Sequence, residues 1–314
     1  TETPNTNTGG RLLTTRAKMC ERPVVLLGPT ASGKSACALE IARRVERVEL
    51  LSADSMQVYR QMNIGTAKPS AQEQSEVRHH LIDLVEPDQP FSLVDYQTAY
   101  DAALLEIQER DAIPLLVGGT GLYLRAVIDR LTPPPRFNDI AAELEKNGDT
   151  ESLHRRLREL DPTGAARMEA TNRRRIIRAL EVTLGTGKPF SSFGPGLDNY
   201  PEVRYRIIGI DISRQRLDQR ISERYAQQME AGFLDEVQAL SEGDLSHTAA
   251  QALGYKELLC HVRGEISLDE ALEVAVRRTK RFARRQQRWF RRDPRVEWVE
   301  HGEISTLINE ISSQ

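Results

Sequence analysis

Eight residues near the start of the chain carry the clearest chemistry. Gly28-Pro29-Thr30-Ala31-Ser32-Gly33-Lys34-Ser35 fits the spacing G-x-x-x-x-G-K-[ST] in full. Glycines at those positions allow a tight turn whose amides point inward, and a lysine ammonium completes a cradle for phosphate oxygens. A helix opening at Lys34 adds the positive end of its dipole. Gly28, Thr30, Ala31, Ser32, Gly33, Lys34 and Ser35 are therefore candidate diphosphate-binding residues, and the Ser35 hydroxyl is the candidate ligand of a magnesium ion. The loop specifies a di- or triphosphate and leaves its bearer open.

A second group lies in SADSMQVYRQMNIGTAKP, residues 52–69. Asp54 and Ser55 follow the apolar run Val48 to Ser52. In a doubly wound sheet, ligands sit beyond the carboxyl ends of the strands, which puts Asp54 beside the phosphate loop as a base or metal ligand. Gln57 and Tyr59 have the chemistry to read or stack on a heterocyclic base. Kinases and nucleotide hydrolases usually place a magnesium-binding acid at the end of another apolar strand. The best such strand here, IPLLVGGTG, ends in Gly118-Gly119-Thr120, and Asp83 in HHLID has only two apolar residues before it. That pattern disfavours a phosphoryl-transfer enzyme.

The net charge of −3 conceals a local concentration: Arg277 to Arg295 holds ten Lys or Arg residues against one acid, Asp293. Arg173, Arg174, Arg175 and Arg178 form a second cluster. Such stretches in an acidic chain suit an anionic partner, although each is also compatible with a solvated helix face. Other reactive types read as structural. His79 and His80 have no second ligand pair and are expected to hydrogen-bond. Trp289, Phe290 and Tyr123 are expected to pack, and Cys260 to lie in a core. Cys20, Cys37 and Cys260 are far apart, with no CxxC, so neither a zinc module nor a disulfide framework is indicated.

These residues need a scaffold. Val24 to Leu27 reads as a buried parallel strand, followed by a helix from Lys34 to about Val45 and strands at Val48–Ser52 and Pro114–Val117. Strand and helix alternation predicts an α/β fold with a P-loop-type parallel sheet. Thr132-Pro-Pro-Pro135 then breaks the chain, and only helical segments follow to Leu184. They include Glu151–Leu160 and Arg173–Leu184, the latter capped by Thr171 or Asn172. PFSSFGPGLDNYP, residues 189–201, is a second breaker-rich stretch, after which Tyr205 to Ile212 returns to the sheet. Residues 132–201 are therefore expected to form an all-helical domain inserted into a core of residues 23–131 and 202–314. Ser213 caps a helix through Met229 that Gly232 ends. Ser267 and Glu270 match a capping box opening a helix to about Arg292, and Val296–Val299 is a last strand. Residues 1–22 are polar, without the apolar core of a signal peptide, and are expected to be a disordered tail. No apolar run is long enough for a membrane span, and a cytoplasmic monomer is expected.

The motifs GPTASGKS, SADSMQVYRQMNIGTAKP, HHLIDLVEP with FSLVDY, VGGTGLYLRA, RRIIRALEV, QALGYKE and ARRQQRWFRR occur in the order found in tRNA dimethylallyltransferases. The resemblance covers about Val24 to Val299 and is to the bacterial form, since nothing resembles the C-terminal zinc finger of some eukaryotic relatives. It implies that the phosphate loop holds dimethylallyl diphosphate with magnesium. The acceptor is N6 of the adenosine 3′-adjacent to the anticodon, in tRNAs reading codons that begin with U. It further implies that Asp54 is the base and that Thr120 hydrogen-bonds near the leaving oxygen. Arg224 contacts the diphosphate, with Arg220 one turn away as the alternative. The implied tRNA contacts are Asp54, Ser55, Met56, Gln57 and Thr120, then Arg174, Arg175 and Arg178, then Gln251, Gly254, Tyr255 and Lys256, and finally Arg284, Arg285, Gln286 and Arg288. The chain departs from the family where Arg174 replaces a frequent Gln, Glu169-Ala170 a frequent His-Pro, and Arg288 a frequent Thr. Two rival activities share the loop: prenylation of free AMP, ADP or ATP, and a small-molecule kinase. The large insert and the Arg-rich helix argue against the first, since a mononucleotide needs neither.

Overall fold

The computed structural model describes residues 23–146, 148–194 and 196–313; the expected tail, with Cys20, lies outside them. Six strands, β1 (Val24–Leu27), β2 (Val48–Ala53), β3 (His79–His80), β4 (Ile113–Gly118), β5 (Arg206–Asp211) and β6 (Val296–Glu300), form one sheet in the order β3-β2-β4-β1-β5-β6. Every pairing is parallel. The chain moves from β1 to one side for β2, β3 and β4, and to the other side for β5 and β6. The topological switch therefore falls at β1, where crevices for ligands form beyond the strand ends.

Helices cover both faces of the sheet, so the central strands β1, β4 and β5 carry continuous apolar runs rather than alternating ones. Val24, Leu26, Leu50 and Leu115 pack against Cys37, Ala38 and Ile41 of α1 (Lys34–Arg44). The opposite pleats, Val25, Leu27, Leu51 and Leu116, pack against two further helices, α3 (Leu93–Glu109) and α4 (Gly121–Ile128). Between β2 and β3 a short α2 (Ala71–Glu76) intervenes. Helix α3 is not among the expected elements, although FSLVDY encodes its start: Ser92 and Asp95 form a reciprocal capping box.

The described residues divide into two compact units, residues 23–129 with 202–313, and residues 130–201. The second unit is α5 (Asn138–Lys146), α6 (Thr150–Leu160), α7 (Pro162–Ala166) and α8 (Arg173–Thr186), closed around Leu144, Leu153, Leu157, Ile176, Ile177 and Leu180. Asn172 caps α8 through the Arg175 amide.

After β5 come α9 (Arg214–Glu230), α10 (Phe233–Ser241), α11 (His247–Ala250), α12 (Tyr255–Val262) and α13 (Leu268–Phe290). A last helix, α14 (Ile304–Ser313), follows β6. Leu217, Ile221, Phe233, Val237, Tyr255, Leu258, Ala271 and Ala275 form their shared core. Two expectations are corrected here. Helix α13 stops at Phe290 with Arg291 as its cap, two residues early. Cys260 is only partly buried, because the buried face of α12 runs through Tyr255, Leu258 and Leu259. Gly232, at φ +94°, ends α9 and also starts α10. No helix among the described residues is long and apolar enough to cross a membrane.

Candidate functional site

The phosphate loop begins where β1 ends and closes into the first turn of α1. Gly33 is the N-cap of that helix at φ +94°, in the left-handed region that glycine adopts without strain. Lys34 folds back over the loop and donates from Nζ to the Pro29 carbonyl at 3.2 Å. Burial pulls its pKa down from 10.5 to about 8, with the Asp54 charge opposing that shift and Arg224 adding to it. Ser35 lies exposed in the first turn.

Two neighbouring strands deliver the remaining chemistry. Ala53 and Gly118 are paired partners at the ends of β2 and β4, and Leu27 pairs with Gly118 from the other side. The residues that follow these strand ends, Asp54, Gly119-Thr120 and the phosphate loop, therefore sit along one edge of the sheet. Asp54 is half-buried, and its Oδ1 accepts from the Met56 amide at 2.8 Å. Thr120 Oγ1 accepts from the Ser55 amide at 3.1 Å, while the Thr120 amide donates to Ala53 O at 3.1 Å. Beneath them Tyr96 donates to Ser52 O at 3.0 Å and stacks on Tyr123 at 4.0 Å, the packing role expected of Tyr123.

Helix α9 supplies both arginines. Arg224 donates to Thr30 Oγ1 at 2.8 Å and to Gly65 O at 3.3 Å. Burial lowers its pKa from the ordinary value, against the opposing fields of Tyr225 and Asp54. Arg220 donates to the Ala31 carbonyl at 2.7 Å. One turn apart, the two grip the same loop. Arg224 is the one whose charge reaches both Lys34 and Asp54.

Several residues expected to touch RNA have interior partners instead. Tyr255 is 1% exposed and donates to Glu236 Oε1. That carboxylate also accepts the amides of Asn63, Ile64 and Gly65. Gly254 is buried at φ +85° against Phe233. Gln57, half-buried, accepts from Ser52 Oγ and donates to the Thr66 and Ala67 carbonyls, bonds that hold its loop in shape. Lys68, equally internal, joins Tyr59 O, Asn63 Oδ1 and Asp83 Oδ1. Gln286 is buried and bonded to Thr30 and Gly119. Arg284 pairs with Asp218 at 2.9 Å, and Arg178 with Glu181 at 2.6 Å. Of the remaining candidates, Arg174, Arg175, Gln251, Arg285 and Arg288 are exposed, and Lys256 is half-buried, donating to Gln251. His80 bonds Glu49 at 2.6 Å and His79 bonds Val77 O at 2.7 Å, as expected of hydrogen-bonding histidines.

The inward role of Gln286 is not among the expectations, although its signal was available. Thr279, Ala283, Gln286 and Phe290 recur at helical spacing on the buried stripe of α13. The grip of Arg220 on the loop had no signal beyond its spacing from Arg224.

A magnesium ion fits the donor set. Among the described residues no group of three or more His, Cys, Asp or Glu could hold a metal. Magnesium keeps several waters and takes phosphate oxygens, so one hydroxyl at Ser35, or a carboxylate such as Asp54, is a sufficient protein share.

A parallel sheet with a phosphate loop at its switch point, cationic groups around that loop and a half-buried carboxylate after β2 define a P-loop-type α/β protein. The family model described as "IPP transferase" matches residues 57–293. A tRNA dimethylallyltransferase of Carboxydothermus hydrogenoformans is 43% identical over 294 residues, covering 91% of this chain and 94% of the relative. One from Geobacter sulfurreducens is 44% identical over 286 residues, covering 88% and 91%. The crystal structure of a Bacillus halodurans tRNA isopentenylpyrophosphate transferase superposes with a TM-score of 0.66 at 37% identity, covering 93% of this chain and 96% of that one. The chain belongs to the IPP transferase family. Its phosphate loop and Asp54 precede the span of the family model and are covered by the full-length similarity to the relatives.

Proposed function

We propose that the protein transfers a dimethylallyl group from dimethylallyl diphosphate to the exocyclic N6 of the adenosine 3′-adjacent to the anticodon of tRNA. The observation that carries this reading is the pairing of a diphosphate cradle with a half-buried carboxylate, Asp54, one strand beyond Thr120. A second magnesium-binding acid in the style of a kinase has no counterpart at the end of β4, where Gly118, Gly119 and Thr120 stand. The names of the relatives agree with it.

The chemistry follows from the groups present. An adenine amine is a weak nucleophile, so the allylic carbon must become strongly electrophilic. The bond from that carbon to the diphosphate oxygen breaks as the bond to N6 forms, and the diphosphate leaves with the electron pair. Lys34, the loop amides and Arg224 stabilise the charge that grows on the leaving group. Asp54 takes the proton released from N6, and Thr120 orients the region between base and leaving oxygen. A bound magnesium ion at Ser35 would supply further positive charge to the diphosphate oxygens. Exposed arginines on α13 and α8 bind phosphates of the RNA, which helps offset the few kcal/mol needed to extrude the target base.

The test is incubation with labelled dimethylallyl diphosphate and, separately, unmodified tRNA, AMP and ATP. Label in tRNA, at the expected adenosine, supports the reading. Label in AMP or ATP alone replaces it with adenylate prenylation. Release of phosphate from ATP with no prenyl transfer replaces it with a kinase-type activity.

A further inference from the structure

We propose that Gln286 is a positioning residue that holds the diphosphate cradle and the acceptor side of the site at a fixed separation; the inference rests on the prenyl-transfer reading above. Gln286 lies on the inner face of α13, 8% exposed. Its Oε1 accepts from the Thr30 amide at 2.9 Å, and its Nε2 donates to the Gly119 carbonyl at 2.7 Å. Thr30 belongs to the phosphate loop, and its hydroxyl accepts from Arg224. Gly119 precedes Thr120, whose hydroxyl accepts from the Ser55 amide next to Asp54. One carboxamide therefore touches both halves of the reaction centre, which reach it from the ends of two different strands.

The site is built closely around that carboxamide. A β-carbon at Gly119 would lie 2.6 Å from Gln286 Nε2, 3.2 Å from Gly28 O and 3.6 Å from Lys34 Nζ. The carboxamide, a loop carbonyl and the loop ammonium thus converge on one glycine. A glutamine suits this place because a single amide both accepts and donates. Ionised glutamate only accepts, and methionine has the length but offers neither strong function. The same helix carries exposed Arg281, Arg285 and Arg288 on its other side, so Gln286 joins α13 directly to the reaction centre. A buried glutamine can also serve packing alone, in which case its loss lowers stability and leaves the rate of the folded enzyme intact.

Three measurements on the full chain separate these roles in Gln286→Met and Gln286→Glu: hydrogen exchange at the Thr30 amide, steady-state rates at saturating substrates, and tRNA affinity. In Gln286→Met, Thr30 exchange should accelerate about tenfold or more. The kcat should fall on the order of 10²-fold, as for about 1 Å of misplacement between reacting groups. The tRNA affinity should stay within about twofold. Gln286→Glu keeps the size and the acceptor for Thr30 but opposes the Gly119 carbonyl with a carboxylate. It should keep Thr30 protected, lower kcat at least as far, and weaken binding of a non-hydrolysable thio-diphosphate analogue. The second variant stands in if the first does not fold. Unchanged Thr30 exchange in Gln286→Met, or unchanged kcat per folded molecule in either variant, overturns the proposal. Loss of tRNA affinity with kcat intact also overturns it and returns Gln286 to the RNA surface. The exchange result does not depend on any reaction. If the wild type transfers no prenyl group, the functional reading falls while the brace is still decided.

Discussion

At the scale of single residues, the site sets a carboxylate, Asp54, near two cations, Lys34 and Arg224, whose pKa values burial lowers. Asp54 follows the end of β2, where its Oδ1 is held by the Met56 amide. Asp54→Asn keeps that shape, since the amide oxygen still accepts from Met56, but removes the base. Single-turnover transfer should slow by about 10²–10⁴-fold with tRNA affinity nearly unchanged; a loss of less than about fivefold would remove Asp54 from the role. Lys34 gives a pH signature. Its folded pKa of about 8 means the ammonium persists below that pH and is lost above it. A bound diphosphate favours the charged form, so affinity for a thio-diphosphate analogue should be flat up to pH 8. It should then weaken toward about tenfold per pH unit. The sign for stability is opposite: burying the ammonium disfavours the folded state below pH 8, and that penalty is relieved as pH rises toward the unfolded value. Isothermal titration between pH 7 and 9.5 checks the binding limb, and Lys34→Ala should be weak and flat across it.

At the scale of elements, α13 divides its arginines between two tasks. Arg284 is committed to Asp218 on α9, and Arg278 to Glu257 on α12, so these fasten the helix to its own unit. Arg281, Arg285 and Arg288 recur four and three residues apart on an exposed face. Arg285→Ala with Arg288→Ala should therefore weaken tRNA binding and lower the slope of log K against log salt by about 0.7–0.9 for each RNA phosphate that is no longer neutralised. Arg284→Ala should act mainly on stability. Filter binding at several salt concentrations separates the two. Parallel lines of equal height for wild type and the 285/288 pair would show that this face does not meet RNA.

At the scale of the whole chain, two units carry separate cores, so damage to one should be readable by itself. Leu157 is fully buried among Leu153, Ile176 and Leu180 of the second unit. Leu157→Ala should destabilise that unit by about 2–5 kcal/mol. Hydrogen exchange should accelerate across residues 138–186, with residues 24–53 unaffected. Transfer to tRNA should fall while thio-diphosphate affinity holds, because the phosphate loop belongs to the first unit. An equal loss of analogue affinity would show that the insert is needed to form the cradle itself.

The sequence alone determined what local rules and short motifs encode. The phosphate loop was legible because its spacing of glycine, lysine and serine suits a phosphate-binding turn, and β1, β4 and β5 because strands buried on both faces carry continuous apolar runs. Asp54 followed from its place after a strand. What only the tertiary structure decided was which polar side chains look inward. Gln57, Tyr255, Gln286 and Arg284 are of types usually found at a surface or a base, yet each side chain has a hydrogen-bond partner within the protein, 5 to 256 residues away in the chain. Such pairings depend on how strands and helices from distant parts of the chain converge, and no periodicity records them. The 3.6-residue stripe could place Gln286 on the inner face of α13, but only the meeting of β1 and β4 beneath that helix gave its amide the Thr30 amide and the Gly119 carbonyl to join.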